Sequence, residues 1–173
     1  MNVPRAIGHI VLNVSDVERS VKFYRDIVGF QVSRYQPGGS TAFLTCGTIH
    51  HDLALFKAPD SARPFEPGQV GLHHFAFEME SYEALQAAYR RLAEAGATIE
   101  GTVDFGFMRT VSVIDPDGMK LELFANTYAT DEEGLAMMKH HAAPAGRSPT
   151  YDILGPEPPK PEIPTPGAEA LRR

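Results

Sequence analysis

Two distant segments of the chain read alike: Gly8 to Val14 (GHIVLNV) and His73 to Met79 (HHFAFEM). His9 falls on His74 at an offset of 65 residues, and at that offset Tyr24-Arg25 falls on Tyr89-Arg90. Each half then offers a strand, a helix and three strands. The first half reads as Ile7–Val14, a helix over Val17–Ile27, then FQVSRY, TAFLTC and LALF. The second reads as Leu72–Met79, a helix over Tyr82–Ala95, then ATIEGTV, MRTVSVI and MKLELF. The strands rest on β-branched and aromatic content with partial alternation, and the helices on apolar spacing at three and four. Gly29 and Gly96 stand just past the two helices, where a left-handed cap is expected. DPDG before Met119 is a turn, its carboxylates bonding nearby backbone. The fold class implied is α+β: tandem βαβββ modules that form a metal-binding cleft between two half-sheets related by a pseudo-twofold axis.

Composition divides the chain near Thr127. Eight of its fourteen prolines lie between Pro144 and Pro166, a stretch that cannot build its own core. Residues 1–126 are therefore expected to be the folded domain, with modules at about 5–58 and 70–126. A short amphipathic helix (DEEGLAMMKHH) and a proline-rich tail follow over 127–173. The tail either wraps over the domain or a neighbour, or stays loose. A net charge of −6 argues against nucleic acid or an anionic membrane as partner. The single cysteine, Cys46, excludes an internal disulfide framework and fits a reducing compartment. With no leader-like or membrane-length segment, a soluble cytoplasmic protein is expected.

The repeat bears on the histidines. A lone imidazole in an apolar strand is commonly a core residue with a hydrogen-bond partner. A pair at matching places in two modules, His9 and His74, should instead approach across the cleft and hold a metal. By alternation His73 points to the other face, as a loop or supporting residue. In MKLELF, Glu122 lies between Leu121 and Leu123, where an isolated carboxylate is costly to bury unless paired or coordinated. Its counterpart in LALF is Ala54. His9, His74 and Glu122 thus make a two-histidine, one-carboxylate set with open positions, the pattern of non-haem Fe(II) sites that activate oxygen. Mn(II), Zn(II) and Co(II) suit the same donors.

The motifs GHIVLNVSDVERSVKFYRDIVGF, HHDLALF, LHHFAFEM and DPDGMKLELF make the chain similar to the vicinal oxygen chelate superfamily (glyoxalase/bleomycin resistance/dioxygenase) over residues 5–126. Within it, the strands resemble the catalytic module of one-domain type I extradiol catechol dioxygenases. That resemblance implies an Fe(II)-dependent ring-cleaving enzyme acting on a small aromatic diol with O2, and a homodimer or higher homo-oligomer. Glyoxalase I and methylmalonyl-CoA epimerase use a fourth protein ligand where Ala54 stands here. Fosfomycin-resistance transferases, with three ligands, are not excluded; thiol transfer, isomerisation and metal-free aromatic binding are the alternative activities. An acid–base histidine is also implied. The resemblance favours His51, whereas strict alternation puts His50 on the face of Ala54.

The chain departs from the family pattern in three ways. A tyrosine expected six residues before the DPDG glycine is Ser112, a histidine expected near Val103 is absent, and a single two-module unit is present. Tyr128, Tyr151, His140 or His141 would have to supply the missing polar groups. Phe43, Phe75, Phe77 and Phe107 are core by default, a minority of them lining the cleft. Phe105-Gly106-Phe107 is expected to form an apolar lip.

Overall fold

The computed structural model of the chain describes residues 4, 6–66, 68–140 and 150–162. The first module comprises β1 (Ile10–Val14), α1 (Val17–Lys22), β2 (Gln31–Tyr35), β3 (Thr41–Thr45) and β4 (Leu53–Lys57). The second comprises β5 (Phe75–Glu78), α2 (Tyr82–Glu94), β6 (Thr98–Asp104), β7 (Met108–Ile114) and β8 (Lys120–Asn126). Each module forms a four-stranded mixed sheet, ordered β1-β4-β3-β2 and β5-β8-β7-β6. The class is α+β and the βαβββ repeat is present twice.

Local chemistry sets the element ends. Asp16 caps α1 by accepting from Arg19 N–H, and Ser81 caps α2 by accepting from Ala84 N–H. Beyond Lys22 the first helix widens into a π-helical turn, Phe23–Val28, which stops at Gly29. Gly29 has φ of 114°, a conformation that a side chain would strain. The expected strands appear with ends moved by up to three residues. His9 and His74 therefore stand immediately before β1 and β5, rather than within them.

The modules join through their helix-bearing sides. Leu12, Val14, Val21, Tyr24, Leu44 and Leu55 of the first share one core with Phe75, Leu85, Leu92, Val111, Leu121 and Leu123 of the second. Phe30 meets Phe77 edge to face at 4.8 Å. Arg91 donates to the carbonyls of Ile27 and Val28, satisfying the end of the π-helical turn. The buried Tyr24 hydroxyl donates to Asp115 at 2.8 Å. Burial, and then the Asp115 charge, hold the Tyr24 phenol well above its usual range.

A third helix, α3 (Asp131–His140), follows β8. The ring of Tyr128 lies so close over Gly134 that a Cβ there would clash, which explains a glycine inside this helix. The tail segment 150–162 packs on the second module. Gln86 Nε2 donates to the carbonyls of Ile153 and Gly155, and Thr102 Oγ1 to that of Tyr151. Arg109, with a side chain 2% exposed, holds the segment. Its guanidinium reaches Asp104 at 3.2 Å, Glu157 at 2.8 Å and the carbonyls of Pro158 and Pro159, above the ring of Tyr82. Among the described residues, no helix is long and apolar enough to cross a membrane.

Candidate metal centre

In the second module, β8 runs parallel to β5 and antiparallel to β7, which sets Glu122 between Ala76 and Ser112. Glu122 is buried, with 8% of its surface exposed. Ser112 Oγ donates to Oε1 at 3.0 Å. The other oxygen, Oε2, faces His74 Nε2 at 3.6 Å. That separation is too long for a hydrogen bond. Two ligand atoms each about 2.1 Å from one ion lie roughly 3.0–3.6 Å apart, so the spacing suits a cation held between them. Imidazole and carboxylate are donors for Fe, Mn or Zn, and on these two residues the site fits a divalent metal.

In the first module the same register places Ala54 between Val11 and Phe43. Val11 and Ala76 each stand two residues after the repeat histidine, so Ala54 is the true counterpart of Glu122, and Phe43 of Ser112. The carboxylate and its hydroxyl donor are thus both replaced by apolar groups. His9 lies against His51, ring centroids 4.6 Å apart, and Phe43 meets His51 edge-on at 5.1 Å. Of the two candidate acid–base histidines, His51 is the one beside His9. His50 lies behind it, with Nδ1 of the two rings 2.5 Å apart. Burial, followed by the adjacent His50 and His9 rings, pushes the His51 imidazole below its usual value near 6.5.

The expected ligands gather in two places: His74 with Glu122, and His9 with His51. Among the described residues, no group of three or more histidine, cysteine, aspartate or glutamate side chains is close enough to hold a metal. His73 departs from strand alternation, because it lies in irregular chain before β5. Its Nδ1 sits 2.6 Å from His74 Nδ1. Phe75 and Phe77 turn to the helix side with Leu121 and Leu123 and belong to the core. Phe105 and Phe107 lie side by side, ring centroids 6.1 Å apart.

Tyr151 does not reach this region. Its ring packs on Tyr82, its hydroxyl is buried with no hydrogen-bond partner among the described residues, and burial pushes the phenol upward. The His140 side chain and His141 lie outside the described residues. A cavity of about 880 Å³ opens between Val11 and Asn13 of β1, the linker around Lys57 and Leu72, and the turn at Asp117. None of His9, His50, His51, His73, His74 and Glu122 lines it, so it does not contain the candidate centre.

The chain matches the family described as Glyoxalase/Bleomycin resistance protein/Dioxygenase superfamily over residues 6–123. It belongs to that superfamily. A relative from Rhodococcus globerulus, biphenyl-2,3-diol 1,2-dioxygenase 3, is 31% identical over 157 residues, covering 90% of this chain and 78% of the relative. Glutathione transferase FosA from Serratia marcescens is 36% identical over 135 residues, 72% of this chain and 84% of the relative. The crystal structure of a glyoxylase/bleomycin resistance protein/dioxygenase domain from Frankia sp. EAN1pec superposes with a TM-score of 0.61 at 25% identity, over 72% of this chain and 99% of that one. The relatives are named for different reactions, a diol dioxygenase and a glutathione transferase among them.

Ser112 and His73 are the site residues whose roles only the coordinates display. Ser112 marks the place of a missing tyrosine in the sequence, yet it is the donor that fixes Glu122. The DPDG turn was the signal, but its four residues alone would set Glu122 opposite Val111; the connection is one residue longer, closed by Asp115 N–H donating to the Met119 carbonyl, and so sets Glu122 opposite Ser112.

Proposed function

We propose that the protein is a metal-dependent extradiol dioxygenase that opens the ring of a small catechol-type diol with O2. One observation carries the reading: the buried Glu122 carboxylate faces His74 across a gap suited to a cation, with its far oxygen already held by Ser112. The 31% identity to a biphenyl-diol dioxygenase supports the reaction class. His74, Glu122 and His9 would hold the ion, with Fe(II) the metal that suits oxygen chemistry on this donor set and Mn(II) the nearest substitute. When bound, the metal acidifies the diol hydroxyls and brings diol and O2 together.

His51 takes up and returns the hydroxyl proton, a task suited to an imidazole that is neutral at working pH. Phe43 gives the aromatic substrate an apolar wall beside it. Buried apolar Ala54 contributes no fourth ligand, which keeps coordination positions open for substrate.

Since His9, His74 and Glu122 do not form one group of donors among the described residues, we infer that two copies complete the centre, His9 and His51 of one meeting His74 and Glu122 of the other. Val11, two residues after His9, is 50% exposed and Phe56 is 40% exposed, an apolar surface such an interface would cover. The deciding assay is anaerobic Fe(II) loading followed by air and a panel of diols. Yellow ring-opened product is expected. Iron-loaded protein that consumes no O2 with any diol would end this reading. The likeness to FosA supports a second one, thiol addition to an epoxide. Retention of Mn(II) with thiol consumption and no O2 uptake would favour it.

A further inference from the structure

Both histidine doublets share one geometric feature that the reaction chemistry does not require. In His73-His74 the two Nδ1 atoms are 2.6 Å apart, with ring centroids at 4.9 Å and planes at 74°. In His50-His51 they are 2.5 Å apart, with centroids at 4.4 Å and planes at 47°. Adjacent residues of an extended strand point to opposite faces. Each doublet instead lies in irregular chain just before a strand, β4 or β5, where neighbouring rings can meet.

Two ring nitrogens this close share a single proton, one ring donating and the other accepting. The far side of the first doublet sets the direction. His74 Nε2 faces Glu122 Oε2 at 3.6 Å, and a nitrogen that binds a cation there must present a lone pair. A neutral imidazole with its lone pair at Nε2 carries its proton on Nδ1. His74 therefore donates from Nδ1, and His73 accepts. In the second doublet His50 occupies Nδ1 of His51, leaving Nε2 as the nitrogen free to act.

We infer that the first histidine of each doublet is a positioning residue, His73 fixing the tautomer and ring orientation of His74, and His50 those of His51. This rests on the metal-centre reading above, and it explains why a sequence needing one imidazole at each place carries two. Outer hydrogen bonds to a ligating histidine commonly affect metal affinity by roughly tenfold to a hundredfold. Neither His50 nor His73 needs to touch metal or substrate for this.

The test uses the full chain labelled with ¹⁵N-histidine. Two-bond ¹H–¹⁵N spectra of the protein loaded with Zn(II), a diamagnetic ion suited to the same donors, report which nitrogen of His74 and of His51 holds the proton. The expected result is a proton on Nδ1 in both. Mn(II) affinity is then measured for wild type, His73→Phe and His73→Asn. Phenylalanine removes the acceptor and is expected to release the His74 Nδ1 proton to solvent exchange and weaken Mn(II) roughly tenfold or more. Asparagine, whose carbonyl can accept, is expected to restore both. His50→Phe should mix the His51 tautomers alone. A His74 proton on Nε2 in the wild type, or unchanged spectra and affinity in His73→Phe, would overturn the inference. If the wild type binds no divalent ion, the metal reading fails, while His51 spectra of wild type and His50→Phe, recorded without metal, still decide the positioning role of His50.

Discussion

Replacing Glu122 by Gln separates a ligand from a structural carboxylate, because the two roles predict opposite signs. Glutamine keeps the shape and can still accept from Ser112, but it removes the charge. In the metal-free wild type the buried carboxylate has one hydroxyl donor among the described residues, and its second oxygen lies 3.6 Å from His74, beyond hydrogen-bond range. An incompletely paired buried polar group costs about 1–3 kcal/mol. The amide remains polar, so the variant should recover only the lower end, about 1 kcal/mol. For a chain of this size that raises Tm by roughly 2–4 °C. Metal at a hundred times its Kd stabilises the wild type by about 2.7 kcal/mol, or roughly 5–10 °C, and should do nothing for the variant. The order of melting temperatures should therefore reverse when metal is added. Thermal unfolding near pH 8, where an ordinary histidine is neutral, measures both arms with and without Mn(II). A variant that melts well below wild type without metal, or gains as much as wild type from it, refutes the ligand role.

Three further outcomes are expected. Mixing His9→Ala and Glu122→Ala proteins through a cycle of dissociation and reassociation should recover roughly a quarter of wild-type activity, because half the dimers are mixed and one of their two sites is intact. Two inactive parents that stay inactive when mixed would place the whole centre within one chain. Arg109→Ala should lower stability by about 3 kcal/mol, the low end for a broken buried pair because Asp104 and Glu157 can rehydrate. It should also open the chain at Tyr151 to chymotrypsin; unchanged melting and unchanged protection would show that the tail is held by something else. Tyr24→Phe should cost about 1–3 kcal/mol near neutrality by deleting the bond to Asp115. Burial raises the folded phenol above its unfolded value near 10, so the folded state keeps its proton longer. Wild-type stability therefore declines as pH rises beyond 10. The gap to Tyr24→Phe should narrow there in urea titrations, and a constant gap would contradict the burial of that hydroxyl.

Much of this architecture can be read before any coordinates. A 65-residue repeat with matching strand and helix periods leaves few solutions other than paired βαβββ modules. The DPDG turn fixes the β7–β8 hairpin to within one residue, and the inclusion of Met119 in the connection sets Glu122 opposite Ser112. The histidines were harder, because alternation applies only inside a strand. His9, His51, His73 and His74 all lie in the one or two residues before a strand begins, where ring direction depends on irregular backbone. For the same reason the His73–His74 contact runs against a strict alternating pattern. The Arg109 clamp was hidden for another reason. Its partners Glu157, Pro158 and Pro159 lie in a segment whose composition predicts extended chain and says nothing about where that chain docks.

The repeat also explains why the centre is asymmetric. Identical modules would bring two carboxylates, one at Glu122 and one at Ala54, each needing a hydroxyl donor from the neighbouring strand. Buried carboxylates without a shared cation repel, and each raises the energy of the metal-free protein. Here one module keeps both parts of the pair, Ser112 and Glu122, and the other has exchanged both, for Phe43 and Ala54. Losing only the carboxylate would have left a hydroxyl facing apolar surroundings, and losing only the hydroxyl would have left the carboxylate with no donor. The exchange is coherent only as a pair. Its product is an aromatic ring beside His51 and, by the reading above, an open coordination position on the ion. The apolar half of the duplication would then be the wall that receives the substrate, and the polar half the grip that holds the metal.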